Sequence, residues 1–228
     1  MATITSRHNP LVKRIRDAIR NHEDEIVIEG VKAVQDAVAQ GWTPIALLHR
    51  GVEISAEIFD SLTETKSPQD VIALFQRPQP ATLFAREESI VVALDGVQDP
   101  GNVGTIIRLA AAFDAGAVAL LPNCADAYSP KAIRASVGAV LNVSVAPATI
   151  DDLVRSGWPI FAADGAGDVI EPPATRAILV FGSEGAGVSA EIRQHATRIA
   201  IPTAGKVESL NVAASAAILL SKSYEARR

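Results

Sequence analysis

The most constraining feature of this chain is the regular alternation of strand-like and helix-like segments over residues 89–228. Short apolar runs fall at Ile90–Leu94, Ala117–Leu121, Leu141–Val145, Ile160–Ala163, Ile178–Phe181 and Ile199–Ile201, and helical patterns occupy 103–113, 130–139, 188–195 and 209–224. Strands that alternate with helices predict an α/β fold, a parallel sheet covered by helices on both faces. Composition agrees with this. Aromatic residues make up only 4% of 228 residues, so the core must be built from Ala, Val, Ile and Leu, the palette of strands buried on both sides. Hydrophobic residues at 48% and charged residues at 21% exclude a disordered chain. In open parallel sheets the ligand lies beyond the carboxyl ends of the strands. The loops after Leu94, Phe181 and Ile201 are therefore the places to look for chemistry.

The preceding residues describe a smaller α/β unit. Leu11, Ile15, Ala18 and Ile19 recur at helical spacing after an Asn9-Pro10 start. Ile26–Ile28 reads as a strand, Val31–Ala39 as a helix closed by Gly41, and Pro44–Leu48 as a second strand. Pro68-Gln69-Asp70 leads into a further strand, Val71–Phe75. Two prolines in Gln76–Pro80, followed by the charged Arg86-Glu87-Glu88, mark a linker. The expected division is residues 1–78, a linker over 79–88, and residues 89–228.

A formal net charge of −5 weighs against nucleic-acid binding, which draws most of its affinity from phosphate contacts. The distribution partly offsets it. Residues 1–20 hold Arg7, Lys13, Arg14, Arg16 and Arg20 against Asp17 alone. A solvated helix face also explains such a cluster, so charge neither establishes nor excludes RNA. The single Cys124 excludes an internal disulfide and a multi-cysteine zinc site, and is expected to be a small side chain near the core. No metal is expected. The opening MATITSRHNP has no hydrophobic signal core, and no run of about 18 apolar residues occurs. The expectation is a cytoplasmic protein, without a membrane span.

Three loops carry candidate motifs. In LDGVQDPGNVGTIIRLAAAFDAG, Asp99-Pro100-Gly101-Asn102 has the composition of a turn, with a helix beginning near Val103. At 100° per residue, Val103, Ile106, Ile107, Ala110 and Phe113 share one face, and Arg108 points almost the opposite way. In LVFGSEGAGVS, a buried strand runs into Gly182, Gly185 and Gly187, which allow close approach of backbone to a ligand, with Glu184 among them. A tight turn whose Glu184 serves the next helix is the competing explanation. In IPTAGKVESLNVAASAAILL, Ser209 and Asn211 precede a helix apolar nearly all round; either is a natural cap for it. The G-x-G-x-x-G dinucleotide fingerprint is absent, since the first loop has only Gly101 and Gly104, and this disfavours a nicotinamide-type enzyme.

Together, DPGNVGTIIRLA, FGSEGAG and IPTAGKVESLNVAASA, in this order, resemble the three motifs of the SpoU/TrmH family of RNA ribose 2′-O-methyltransferases. The segment SPKAIRASVGAVLNVSV is similar to that family's connecting block, and the resemblance covers the chain from about residue 89 onward. ITSRHNPLVKRIRDAI, IVIEGVKAVQDAV and SPQDVIALFQRP resemble its accessory substrate-binding domain, which is itself similar to a small ribosomal protein.

The resemblance implies a deep trefoil knot in the C-terminal parallel-sheet domain and a cofactor, S-adenosyl-L-methionine, bound there. Carried over by motif position, the cofactor contacts fall at Phe181, Gly182, Ile201, Pro202 and Leu210. The catalytic arginine position is Arg108, with Asn102, Glu184, Ser209 and Asn211 as the other polar positions of the active site. Arg7, Asn9, Lys13, Arg14 and Arg134 are the expected RNA contacts. The resemblance further implies a homodimer in which the arginine of one subunit approaches the cofactor of the other. Leu109 and Ala213 depart from the family's usual small polar residue and serine. An accessory domain without a long C-terminal tail looks more like the ribosomal-RNA branch than the tRNA branch. A tRNA methyltransferase and a non-catalytic RNA-binding module remain the alternatives, although the latter predicts loss of Arg108, Asn102 or Glu184.

Overall fold

The computed structural model describes residues 3–63 and 69–228. Pro68, expected to lead into a strand, lies outside the described residues. The first unit contains α1 (Pro10–Arg20), β1 (Glu25–Glu29), α2 (Val31–Ala39), β2 (Pro44–His49), α3 (Ala56–Asp60) and β3 (Val71–Gln76). Its three strands form an antiparallel sheet in the order β1-β3-β2. Asn9 starts α1 as expected: its Oδ1 accepts the Leu11 N–H at 2.9 Å, and Pro10 occupies the first turn, where no N–H is needed. One sheet face, with Val27, Ile72 and Leu74, packs on Val12 and Ile15 of α1 and on Ile58 and Phe59 of α3.

The second unit contains β4 (Ile90–Asp95), α4 (Pro100–Ala112), β5 (Ala117–Leu120), α5 (Pro130–Ser136), β6 (Ser144–Pro147), α6 (Ile150–Arg155), β7 (Ile160–Asp168), β8 (Ala177–Gly182), α7 (Ala190–His195), β9 (Thr197–Ile199) and α8 (Val212–Glu225). The six strands form a wholly parallel sheet in the order β6-β5-β4-β8-β7-β9. Successive residues of each strand point to opposite faces. Ile90, Val92, Leu94, Leu179 and Phe181 face α4, α5 and α8, while Val91, Ala93, Ile178 and Val180 face α6 and α7. Both faces are thus dry, and each fully buried large aliphatic contributes about 1.5–3 kcal/mol.

Several boundaries differ from the sequence expectation. The segment Asp99–Asn102 is not a free turn. Asp99 caps α4 by accepting the Gly101 N–H at 2.5 Å, Pro100 opens the helix, and Asn102 lies in the first turn. The helix expected over 130–139 stops at Ser136, because Val137 and Gly138 both adopt left-handed φ (52° and 79°). The strand expected at Leu141–Val145 is delayed in consequence: Ala139–Leu141 forms a 3₁₀ turn and the strand begins at Ser144. The last short strand ends at Ile199 and not at Ile201. The outward Arg108 and the buried Val103, Ile106, Ile107 and Ala110 follow the helical-wheel expectation.

No helix or strand interrupts residues 77–89, yet they are not a loose tether. The second face of the small sheet, with Ile26, Ala73 and Phe75, belongs to the same apolar cluster as Ile90, Ile106 and Leu179 of the large one. Phe84 packs edge-on against Trp158, with ring centroids 5.4 Å apart. A polar latch adds direction. Arg77 Nη1 donates to Asp126 Oδ2 at 2.5 Å and its guanidinium stacks 4.7 Å from the Tyr128 ring centre, while His22 Nδ1 lies 3.5 Å from the same carboxylate. Burial alone would push the Asp126 carboxyl up. The bonds from His22, Arg77 and the Tyr128 N–H outweigh it and hold the group down at about 2. Among the described residues, no helix is long and apolar enough to cross a membrane.

Candidate active site

The three motif loops meet at the carboxyl ends of β4 and β8, which are adjacent in the sheet. β8 runs straight into a hairpin-like turn. Ser183 and Gly187 exchange two backbone hydrogen bonds, at 3.1 and 2.9 Å, and the Ser183 Oγ accepts the Ala186 N–H at 3.2 Å. Gly187 has φ of 67°, which a side chain would strain. Gly182 is required for a different reason. A methyl group there would come within 2.0 Å of the Gly187 carbonyl carbon and 2.1 Å of the Val188 nitrogen. The loop is pinned from β4 as well: Asp95 Oδ2 accepts the Ser189 N–H at 2.6 Å.

Beside this turn lies a cavity of about 440 Å³. Phe181, Gly182, Glu184, Ile201, Ser209 and Leu210, all expected from the sequence, line it, joined by Ile199, Val207, Glu208 and Val212. Pro202 is exposed beside Ile201 and is not on the cavity wall. At the mouth, Asn102 is a hub. Its Nδ2 donates to Glu184 Oε1, and its Oδ1 accepts from Asn211 Nδ2 at 3.3 Å. Asn211 in turn caps α8, its Oδ1 accepting the N–H groups of Ala213 and Ala214 at 2.9 and 3.3 Å. Capping and site geometry are therefore both served by Asn211, and one amide ties together three loops 82 and 109 residues apart in sequence.

Arg108 is not brought to this cavity. It stands exposed on α4 (six residues, about 9 Å of helix rise, beyond Asn102) and makes no hydrogen bond or ion pair among the described residues. The expected RNA contacts are partly engaged within the chain. Arg7 pairs with Glu57 at 3.0 Å, Arg14 with Glu25, and Arg134 lies 3.8 Å from Glu29. Asn9 is occupied as a cap, and Lys13 is exposed on α1.

An ion pair on the cavity wall, Asp164 with Arg193, lies outside all three sequence motifs. Asp164 follows Ala163 on β7 and accepts from Arg193 Nε at 3.2 Å. In the sequence, the signal for Asp164 is its place directly after the apolar run Ile160–Ala163, although the strand itself continues to Asp168. Lys131 on α5 also holds Asp99 at 2.9 Å, and with the Gly101 N–H it lowers the Asp99 carboxyl below its ordinary value. Cys124 is half-buried and donates to the Leu94 carbonyl at 3.1 Å, and burial pushes its thiol up, away from nucleophilic use. Among the described residues, no group of three or more His, Cys, Asp or Glu is arranged to hold a metal.

A parallel sheet whose terminal loops enclose a glycine-walled cavity, with a carboxylate and two amides joined at its mouth, defines an α/β enzyme acting with a bound small molecule. Comparison with known proteins makes the class specific. The model of the SpoU rRNA methylase family matches residues 89–221, and the chain belongs to that family. It is 31% identical to an uncharacterised tRNA/rRNA methyltransferase of Synechocystis, over all of this chain and 94% of that protein. It is also 31% identical to a 23S rRNA adenosine 2′-O-methyltransferase of Streptomyces laurentii, over 96% of this chain and 94% of the relative. The fold is similar to that of an rRNA methyltransferase of Sinorhizobium meliloti solved with S-adenosylmethionine bound, with a TM-score of 0.88 at 29% identity, covering 99% of this chain and 98% of that one.

Proposed function

We propose that the chain is an S-adenosylmethionine-dependent RNA methyltransferase that methylates a ribose 2′-hydroxyl of ribosomal RNA. The observation that carries this reading is the Asn102 hub, which joins Glu184 and Asn211 at the mouth of the cavity in a member of the SpoU family. Relatives spanning nearly the whole chain are named as 23S rRNA 2′-O-methyltransferases, which favours ribosomal RNA over tRNA.

The cavity suits this cofactor. Its volume is that of a small-molecule site, its apolar wall (Ile199, Ile201, Leu210, Val212) accepts an adenine, and Asp164, Glu184 and Glu208 oppose cationic groups. Gly182, Ile201 and Leu210 would hold the cofactor through close backbone approach, with Phe181 and Pro202 fixing the loop ends. When bound, S-adenosylmethionine supplies an electrophilic methyl group on a sulfonium. The chain's own residues handle the nucleophile. A ribose 2′-hydroxyl sits beside a phosphate, and a guanidinium serves both by holding the phosphate and polarising the hydroxyl. Arg108 has that role. Asn102 and Glu184 fix the loop facing the nucleophile, and Ser209 and Asn211 position the start of α8.

The absence of Arg108 from the cavity wall of its own chain supports a homodimer, with Arg108 of the partner subunit completing each site. The return of the chain from β9, at the edge of the sheet, past β8 to seat α8 beside α4 supports a trefoil knot in this region. Residues 1–78 form the RNA substrate-binding module, 79–88 the connection and 89–228 the methyltransferase domain. Lys13, together with Arg7, Asn9, Arg14 and Arg134, contributes to RNA binding. The test is Arg108→Ala, which should bind S-adenosylmethionine as the wild type does and lose transfer of tritiated methyl to ribosomal RNA. Near-wild-type transfer would remove Arg108 from the mechanism.

A further inference from the structure

Among the described residues that line the cavity, Arg193 is the single cation, beside the acids Asp164, Glu184 and Glu208. It projects from α7, a helix that begins three residues after Gly187, with Ser189 as its cap. Asp164 holds it from β7. That carboxylate, 14% exposed, accepts the Ala166 N–H at 2.9 Å on one oxygen and Arg193 Nε at 3.2 Å on the other. Only Nε is engaged. The two terminal nitrogens of the guanidinium donate to no group among the described residues, and the side chain is 42% exposed. Nη2 lies 3.6 Å from the point a methyl on Gly187 would occupy. The glycine therefore places no side chain against this nitrogen.

A guanidinium fixed at Nε by a carboxylate presents its remaining N–H groups as a planar fork, the geometry that matches a carboxylate in bidentate fashion. S-adenosylmethionine carries one carboxylate, at its amino-acid end, and its other charged groups are the cationic ammonium and sulfonium. The other charged side chains that line the cavity are acids, so among them the carboxylate has one complementary partner. We infer that Arg193, oriented by Asp164, recognises the carboxylate at the amino-acid end of the cofactor. This rests on the cavity being the cofactor site. Asp164 is a positioning residue, acting through Arg193.

The experiment is calorimetric binding of two ligands to the full chain. S-adenosylhomocysteine keeps the carboxylate; 5′-methylthioadenosine lacks the whole amino-acid end. Arg193→Ala should weaken S-adenosylhomocysteine about 10- to 100-fold, as expected for loss of hydrogen bonds to a charged group, and leave methylthioadenosine unchanged. Unchanged methylthioadenosine binding also shows that the variant is folded. Asp164→Asn should shift the same ligand in the same direction by less, and Arg193→Lys should recover part of the loss. An equal loss for both ligands, or no loss for either, would overturn the assignment. A wild-type chain that binds neither ligand would instead overturn the cofactor reading on which it rests.

Discussion

Gly182→Ala isolates the contribution of the glycine turn. The added methyl would stand 2.0–2.2 Å from the Gly187 carbonyl and the Val188 nitrogen, all backbone atoms. Ordinary carbon contacts lie at about 3.5 Å, so the turn must retreat by more than about 1 Å. It cannot do so without breaking the paired Ser183–Gly187 hydrogen bonds or the Asp95 bond to Ser189. Overpacking of this kind costs about 1–3 kcal/mol. At about 2–4 °C per kcal/mol for a chain of this size, thermal unfolding should fall by about 2–12 °C. Function should suffer more than stability. Glu184 rides on the displaced turn, and a misplacement of about 1 Å at reacting groups costs on the order of 10²-fold in rate. Gly185→Ala is the control for stability, because nothing lies within 4 Å of its added methyl and it is not a left-handed position. Scanning calorimetry and a tritiated-methyl assay read the two variants side by side. Wild-type behaviour of Gly182→Ala, or an equal loss of melting temperature in Gly185→Ala, would refute the steric reasoning.

The remaining predictions concern the latch between the two sheets and the subunit arrangement. Asp126, held at about 2 against an ordinary 3.8, contributes stability that is present above 3.8 and lost as pH falls toward 2. The shift corresponds to about 2 kcal/mol, so Asp126→Asn should lower the neutral-pH melting temperature by about 4–8 °C and flatten acid unfolding below pH 4. An unchanged acid limb would exclude the latch as its cause. If Arg108 acts across a two-fold interface, mixing the inactive Arg108→Ala and Glu184→Ala chains should restore about a quarter of wild-type transfer, through mixed dimers with one intact site. Zero recovery after subunit exchange would place Arg108 in its own chain's site.

What sequence periodicity could reveal here was set by segment length. α4, with four buried aliphatics at helical spacing, and the continuous apolar runs of β4 and β8 were legible because each repeats its signal. α3 and α6, at five and six residues, complete little more than a turn and neither is foreseen, whereas α7, also of six residues, falls within the expected pattern over 188–195. The short strand near residue 145 was misplaced because Val137 takes a left-handed conformation, for which a β-branched residue gives no warning. Prolines at 78 and 80 implied separation, but the shared core of Phe75 and Ile90 depends on contacts across the chain that no local pattern encodes. The site divides in the same way. Gly182, Glu184 and Asn211 stood out through motifs, and the strand-end rule located their loops. The pairing of Asp164 with Arg193 did not stand out, since neither residue belongs to a motif.

Methyl transfer to ribose is the central claim, and the position of the methyl group tests it most directly. The purified chain, given labelled S-adenosylmethionine with unmodified ribosomal RNA and, in parallel, with unmodified tRNA, should label the ribosomal RNA and yield from it a single labelled nucleoside after complete digestion. Mass spectrometry should place the methyl on the ribose 2′-oxygen, with the adjacent linkage resistant to alkaline cleavage. Label on a base, label only in tRNA, or no transfer by a chain that binds the cofactor would contradict the account.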